Sequence, residues 1–297
     1  MSDQGREIAL ITNPTSGKGK GARARDAALA RLREGGLVVR NLAGRDADEA
    51  QDLARQCVAD GVGALVVCGG DGMVHLAVQA LAGSSTALGI IPAGTGNDVA
   101  RYFDLPRGDA VAAAELVLAR LGDGGGRTID LARSAGRYFV SVMAAGFDAV
   151  VNERANRMTW PKGQMRYNIA TLAELRTFQP LSYTLDLDGV HRRLEAMLVA
   201  IGNGPSFGGG LRITEGALLD DGLLDVVIIK PMSKGGLIRT YPKLFKGTHV
   251  THPQYEHHLV RSVTVAAPGI VAYADGERFG ALPLTVECVP GALTVLA

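Results

Sequence analysis

The first 121 residues alternate between short apolar strands and helical segments, and this alternation restricts the fold more than any other feature of the chain. Residues 8–11, 64–68 and 87–92 consist of apolar or small side chains, as strands do when both faces of their sheet are covered. Helical patterns follow them, for example over residues 46–60, where apolar side chains recur on one face. This order of elements predicts an α/β domain with a mostly parallel sheet.

The pattern changes after the glycine-rich stretch at residues 122–126. Beyond it, short strand-like segments separated by turn signals dominate, and the two sizeable predicted helices cover residues 163–178 and 234–245. The predicted strands are residues 128–133, 138–144, 183–188, 196–202, 224–229, 262–266 and 284–289. Many short strands of this kind predict a β-rich sandwich. We therefore expect one domain over residues 1–126 and a second over residues 127–290.

The composition excludes several classes of protein. A net charge of +1 gives no indication of nucleic-acid binding. The three cysteines, Cys57, Cys68 and Cys288, are widely spaced and form no metal or redox pattern, so we expect free thiols in a reducing, cytoplasmic compartment. The N-terminal residues lack the pattern of a signal peptide, and no apolar run approaches the roughly 18–20 residues of a spanning helix.

A glycine-rich loop follows each of three apolar strands. Residues 69–72 read GGDG, residues 13–19 read NPTSGKG, and residues 92–98 read PAGTGND. Glycines allow a ligand to approach the backbone, a helix N-terminus favours phosphate, and Asp71 suits a cation. Three loops at the carboxyl edge of one parallel sheet favour a site for a phosphate chain that carries Mg²⁺. The alternative is a set of tight turns, with Asp71 and either Asn97 or Asp98 as helix caps.

The chain resembles the soluble diacylglycerol kinase and sphingosine kinase family, which is related more distantly to NAD kinases. The resemblance rests on NPTSGKG, on GGDG before a helix, on IIPAGTGNDVAR, AAGFDAVV and EGALLDDGLLDVVII, and on YADGE, all in family order. It implies an N-terminal nucleotide-binding α/β domain and a C-terminal β-rich domain for the lipid substrate. It also implies that the tail, residues 291–297, returns to the first domain.

The resemblance further implies transfer of the γ-phosphate of ATP to a lipid hydroxyl, with diacylglycerol as the expected acceptor. The residues expected to bind ATP and Mg²⁺ are Asn13, Ser16, Gly17, Gly69, Gly70, Asp71, Gly72, Gly94, Thr95, Asn97 and Asp98. Asp71 would help to place the catalytic Mg²⁺. In the DGE sequence, Glu277 is the first choice for the base and Asp275 the second, although DG alone is also a hairpin-turn signal. A structural Mg²⁺ is expected on Asp221 and on the carbonyls of Leu218 and Leu223, where the alternative is a plain turn.

Some positions depart from the family pattern or leave alternatives open. Met73 replaces the usual threonine after GGDG, and His75 and Leu76 replace a common Asn-Glu pair. Two alternatives therefore stay open. The acceptor could be a sphingoid base, phosphatidylglycerol or NAD, or the protein could be a nucleotide-binding regulator without turnover. We expect a cytoplasmic protein that visits the inner membrane surface, and a homodimer is left open. The basic segments around Trp160 and at residues 242–246 fit either a membrane interface or solvent.

Overall fold

The structure, a computed structural model, describes residues 7–12, 20–146, 154, 157–160, 170 and 179–297. The chain divides into two compact units. The first comprises Met1–Leu131 and Val289–Ala297, and the second comprises Ala132–Cys288. Apart from residue 170, the predicted helix over residues 163–178 lies outside the described residues. The division into a nucleotide-binding domain over residues 1–126 and a lipid-substrate domain over residues 127–290 stays a prediction.

The first unit contains a parallel sheet in the order β2-β1-β3-β4. Its strands are β1 (Glu7–Thr12), β2 (Val38–Ala43), β3 (Ala64–Gly69) and β4 (Ala87–Pro92). Its helices are α1 (Lys20–Glu34), α2 (Ala47–Ala59), α3 (Asp71–Leu81), α4 (Asp98–Tyr102) and α5 (Ala110–Asp123). Every residue of β3 and β4 is buried, because the sheet is central to this unit. The parallel α/β architecture that the sequence predicts is confirmed.

The C-terminal residues belong to the first unit. The last strand, β16 (Leu284–Val295), ends with Val295 paired in parallel to Leu88 of β4. The N–H of Leu296 donates to the carbonyl of Leu88 at 2.8 Å, and the N–H of Gly83 donates to the carbonyl of Ala292 at 2.8 Å. Strand β5 (Arg127–Ser134) enters the second unit at its end. The chain therefore passes between the units twice, once in β5 and once in β16.

The second unit is built from antiparallel strands. One sheet has the order β12-β11-β10-β7-β14-β15, and β9, β8, β13 and the first half of β16 pair in another group. The strands are β6 (Arg137–Phe139), β7 (Val142–Gly146), β8 (Leu181–Leu187), β9 (Val190–Ala196), β10 (Leu198–Gly202), β11 (Leu224–Ile229), β12 (Tyr255–Val260), β13 (Ser262–Ala266), β14 (Val271–Ala274) and β15 (Glu277–Ala281). Buried side chains from both groups form one core, so the predicted β sandwich is confirmed.

The other face of the six-stranded sheet carries a second apolar cluster. Helix α6 (Lys234–Leu244) and the short 3₁₀ helix Thr248–Thr251 belong to this layer. Leu237, Tyr241 and Leu244 of α6 pack against buried residues of the sheet such as Val227. Helix α6 thus rests on the sheet through one of its faces.

Candidate active site

Two of the predicted glycine loops touch each other in the first unit. Strands β3 and β4 are parallel neighbours with Gly69 opposite Pro92, so the loops after them start at the same edge. The N–H of Ala93 donates to the carbonyl of Gly69 at 2.8 Å. A Cβ atom on Gly70 would lie 3.0 Å from the Cα of Gly94. Only glycine allows the two backbones to approach this closely, which leaves a surface lined by main chain.

Asp71 joins these two loops through its side chain. It is the first residue of α3, and its Oδ1 accepts the N–H of Asp98 at 2.7 Å. The N-cap of α3 is Gly70, which makes no side-chain capping bond. The alternative that Asp71 caps its own helix is therefore wrong. Its carboxylate instead reaches the loop after β4, at the positive end of α3.

Asn97 fixes the shape of the loop after β4. Its backbone lies in the left-handed region at φ 53° and ψ 48°, a conformation that asparagine tolerates better than most residues. Its Oδ1 accepts the N–H of Gly94 at 3.1 Å, and its Nδ2 donates to the carbonyl of Gly94 at 2.8 Å. Asn97 stands at the N-cap of α4 but makes no side-chain capping bond. Its amide holds the loop closed instead.

A second carboxylate and a cation complete this group. The side chain of Asp98 is only 6% exposed, and its Oδ1 lies 4.0 Å from Nε of Arg101. The guanidinium of Arg101 also donates to the carbonyl of Gly96 at 2.9 Å. Sequence reasoning did not single out Arg101, although its position three residues after Asp98 on a helix was a usable signal. Asp71 and Asp98 thus place two carboxylates beside the glycine loops.

The third predicted loop lies outside the described residues, so the structure does not show Asn13, Ser16 and Gly17. Strand β1 ends at Thr12, which lies opposite Cys68 near the end of β3. Thr12 is 5% exposed, and its Oγ1 makes no hydrogen bond in the part of the chain that the structure describes. The loop after β1 therefore starts at the same edge as the other two, beside the buried hydroxyl of Thr12.

Cys68 ends the apolar part of β3, directly before the glycine loop. Burial raises the pKa of its thiol to about 11. The group therefore stays a neutral thiol at neutral pH, and a nucleophilic role for it is not supported.

The DGE sequence forms a two-residue turn in the second unit, between β14 and β15. Asp275 and Gly276 have φ values of 52° and 86°, as in the type I′ turns of hairpins. The Asp275 carboxylate accepts the backbone N–H groups of Val140 and Ser141 at 3.1 and 3.0 Å, and the Ser141 hydroxyl at 2.5 Å. Glu277, the first residue of β15, is exposed. The structure therefore assigns different environments to the two predicted carboxylates.

Asn203 supports the segment that holds Asp275. It is fully buried, its Nδ2 donates to the carbonyl of Val140 at 3.0 Å, and its N–H donates to that of Ser141 at 2.9 Å. Sequence reasoning missed both Ser141 and Asn203. No local pattern connects them with Asp275, since residues 141 and 275 are 134 positions apart.

The expected structural Mg²⁺ loop forms a turn before β11. Asp221 Oδ1 accepts the N–H of Leu223 at 3.0 Å, and Leu218 is 52% exposed. Within the described ranges there is no group of three or more His, Cys, Asp or Glu residues that could hold a metal ion. A site built from one carboxylate and two carbonyls stays a prediction. In the same ranges, no helix is long and apolar enough to cross a membrane.

Comparisons with known proteins match the chain along nearly its whole length. Residues 7–133 match the family described as diacylglycerol kinase catalytic domain, and residues 141–297 match the YegS C-terminal NAD kinase beta sandwich-like domain. A protein of Mycobacterium tuberculosis named diacylglycerol kinase is 45% identical over 98% of this chain and 94% of its own length. A protein of the same name from Bacillus subtilis is 27% identical over 94% and 92%.

Solved structures show the same fold. A diacylglycerol kinase from Bacillus anthracis str. Sterne has a TM-score of 0.74 at 21% identity, over 98% of this chain and 96% of its own. Another structure from that organism has a TM-score of 0.82 at 22% identity, over 98% and 95%. These likenesses extend over both units. Together with the sequence matches, they confirm the resemblance, and the chain belongs to the bacterial diacylglycerol kinase family.

Proposed function

We propose that this protein transfers the γ-phosphate of ATP to a lipid hydroxyl, with diacylglycerol as the acceptor. The observation that carries the proposal is the contact between the loops after β3 and β4. There the Asp71 carboxylate accepts the backbone N–H of Asp98, beside the backbone of the glycines. Such a surface suits a phosphate chain with its cation. The diacylglycerol acceptor is supported by the name of the M. tuberculosis relative at 45% identity.

The residues present fit a hydrated Mg²⁺ on ATP. Asp71 and Asp98 supply the hard oxygen ligands that this ion prefers, directly or through its water shell. When bound, Mg²⁺ would neutralise charge on the transferred phosphoryl group. Gly70 and Gly94 allow the two loops to meet, and Gly72, with open space where a side chain would lie, leaves room for phosphate oxygens beside the N-terminus of α3. Gly69, Gly72 and Thr95 on these loops, and Asn13, Ser16 and Gly17 on the loop after β1, remain proposed nucleotide contacts.

Glu277 is the proposed base. The lipid hydroxyl oxygen forms a bond to the γ-phosphorus, the bond to the bridging oxygen breaks, ADP leaves, and the hydroxyl proton passes to the Glu277 carboxylate. Asp275 is a weaker candidate for this proton, because its oxygens already accept three hydrogen bonds from Val140 and Ser141. We assign Asp275 the role of holding the turn from which Glu277 emerges.

The departures from the family pattern lie in packed positions. Met73, His75 and Leu76 of α3 are only 6%, 8% and 8% exposed. They contribute to the packing of α3, whereas the proposed phosphate surface is formed by main chain at the start of the helix. This placement supports an active kinase over a regulator without turnover. Because diacylglycerol resides in a bilayer, we also propose that the protein acts at the surface of the inner membrane.

A structural Mg²⁺ at Asp221 remains part of the proposal.

A phosphate-transfer assay tests the proposal. Purified protein, γ-labelled ATP and Mg²⁺ would be incubated with diacylglycerol in detergent micelles, and in parallel with sphingosine, phosphatidylglycerol or NAD. We expect labelled phosphatidic acid, and a loss of about 10²–10⁴-fold in rate for Glu277→Gln, the usual contribution of a general base.

Glu195→Gln is the matched control. Glu195 is an exposed glutamate of β9 in the same unit, so the variant removes the same charge and should retain the wild-type rate. Labelling of another acceptor in preference to diacylglycerol would refute the substrate. Equal rates for Glu277→Gln and the wild type would refute the base.

A further inference from the structure

Helix α6 presents three different faces. Its packed face carries Leu237, Tyr241 and Leu244, which lie against the outer side of the six-stranded sheet, together with buried Thr240. The remaining faces point away from the sheet. Their side chains are sorted by chemistry, which a helix that merely faces solvent does not require.

The first of the exposed faces is apolar. Ile238 is 52% exposed and Phe245, directly after the helix, is 40% exposed. Exposed Pro242 lies between them, so the spacing is i, i+4 and i+7, which aligns the three on one line along the helix. Val250, in the 3₁₀ helix that follows, is a further exposed apolar residue at 36%. Large apolar side chains at this exposure and spacing mark an interaction surface more than scattered single residues do.

The second exposed face is cationic. Arg239, Lys243 and Lys246 are exposed and follow the same i, i+4, i+7 spacing, one residue after each apolar position. None of the three has an ion pair among the described residues. Residues 230–255 contain no aspartate or glutamate. The nearby carboxylate of Glu215, which a Cβ atom on Gly247 would meet, is itself paired with Arg212.

We propose that this surface, formed by Ile238, Arg239, Pro242, Lys243, Phe245 and Lys246, docks the protein on an anionic phospholipid bilayer. A row of apolar side chains beside a row of cations is the arrangement by which interfacial helices lie at the headgroup level. The charge is complementary to anionic headgroups, and no acidic side chain in the segment opposes it. The inference rests on the proposed function, since a diacylglycerol acceptor resides in a bilayer.

The strength of docking can be bounded from the charges. Each cation at an anionic surface raises the partition coefficient roughly fivefold, so three together contribute roughly a hundredfold. This contribution should weaken as salt shortens the screening length. The apolar row adds affinity that salt does not remove, because burial of apolar area is not screened.

Vesicle sedimentation tests the docking surface without any measurement of activity. Extruded vesicles of phosphatidylcholine mixed with phosphatidylglycerol would be compared with phosphatidylcholine alone. Wild-type protein should bind the anionic vesicles more tightly. The triple variant Arg239→Gln, Lys243→Gln, Lys246→Gln should lose roughly a hundredfold in partition coefficient. The double variant Ile238→Ser, Phe245→Ser should lose binding at high salt as well as at low salt.

A control triple variant removes the same charge elsewhere. Arg33, Arg107 and Arg193 are exposed and lie away from α6 in the sequence, so their replacement by glutamine should leave vesicle binding close to that of the wild type. Circular dichroism and the unfolding midpoint would verify that every variant folds. Equal losses in the control and α6 triple variants, or no loss in either, would overturn the proposal.

Two further measurements separate this inference from the proposed function. With diacylglycerol in neutral detergent micelles, the α6 variants should keep the wild-type rate, while their rate on diacylglycerol in anionic vesicles should fall with binding. Absence of transfer by the wild type in micelles would refute the kinase proposal and leave the vesicle result standing. A change of oligomeric state in the α6 variants by sedimentation velocity would assign the surface to a second copy of the chain and overturn bilayer docking.

Discussion

Alanine in place of Gly94 should lower the thermal stability, whereas alanine in place of Gly72 should not, although both glycines belong to the proposed phosphate surface. A Cβ atom on Gly94 would overlap the Cα of Gly70 and lie 2.8 Å from Oδ1 of Asn97 and 3.0 Å from the backbone nitrogen of Gly70. The backbone cannot retreat freely, because the bond from Ala93 N–H to the Gly69 carbonyl, at 2.8 Å, ties the two loops together. Overpacking of this kind costs about 1–3 kcal/mol, so the unfolding midpoint of Gly94→Ala should fall by about 5 °C.

Gly72 is the second residue of α3, and a Cβ atom there would meet nothing within 4 Å. Alanine is favoured over glycine in a helix by up to about 1 kcal/mol, so Gly72→Ala should unfold at the wild-type temperature or about 2 °C above it. If the phosphates of ATP lie against this end of α3, the added methyl group occupies their space. The affinity for ATP should then fall about tenfold or more, equivalent to about 1.4 kcal/mol.

The assay combines thermal unfolding without nucleotide and titration calorimetry with ATP and Mg²⁺. Each variant serves as the control for the other, since one perturbs packing and the other perturbs only the open surface. A Gly94→Ala protein with the wild-type midpoint would refute the packing argument. A Gly72→Ala protein that keeps the wild-type affinity for ATP would refute the placement of the phosphates.

Three other predictions follow from the contacts in the two units. Asp275→Ala should lower the free energy of unfolding by about 2–4 kcal/mol in urea titrations, because it leaves the N–H groups of buried Val140 and Ser141 unpaired. Asp188→Ala should cost less than about 1 kcal/mol, because water can replace its carboxylate at the surface N–H groups of Arg261 and Ser262, and equal losses in the two variants would contradict this argument. Burial raises the pKa of Glu256 but the hydrogen bonds that it accepts outweigh this and hold it at about 2, so its stabilisation is present above pH 4.5 and lost as the pH falls through 2. Glu256→Gln should thus destabilise the protein at pH 7 by up to about 3 kcal/mol and converge with the wild type near pH 2, and a difference that persists there would contradict the linkage. At pH 8, a thiol reagent should modify half-buried Cys288 long before Cys68, whose pKa is raised to about 11 by burial, and equal reaction times would contradict the buried position of Cys68.

The strands of the parallel sheet could be predicted because the apolar residues of each buried strand are contiguous in the sequence. Strands β3 and β4 are buried along their whole length, and each continuous apolar run ends at a glycine-rich loop that marks the end of the strand. Strand β15, with the sequence ERFGA, and β9, with VHRRLEA, have no such signal. Both form because a neighbour pairs with them, β14 in one case and β8 in the other. Pairing between strands is a tertiary effect, and no composition rule could have found it.

The candidate site shows the same limit. The sequence placed Asp71, Asn97 and Asp98 on loops that the parallel order of strands brings to one edge, and the structure joins them there. It could not show that the Asp71 carboxylate crosses to the next loop, because helix capping has a local signal and a bond between loops depends on the register of β3 and β4. The sequence therefore predicts which residues lie near one another at the site, but it does not predict the hydrogen bonds between them.

A second Asp-Gly turn in the same unit allows the roles of the three DGE residues to be compared. The turn between β8 and β9 is also Asp-Gly, and Asp188 and Gly189 have φ values of 49° and 89°, almost those of the turn at Asp275. The Asp188 carboxylate likewise accepts two backbone N–H groups from a distant segment of the chain, those of Arg261 and Ser262 at the start of β13, at 3.0 and 2.8 Å.

An anchored aspartate is thus a device that this unit uses to fix a hairpin, whether or not any chemistry takes place there. What differs between the two turns is the residue that follows, which is Val190 in one and Glu277 in the other. The interpretation of DG as an ordinary turn and the interpretation of DGE as catalytic are therefore compatible. The first two residues shape and anchor the hairpin, and the third, Glu277, is the exposed carboxylate that we propose as the base.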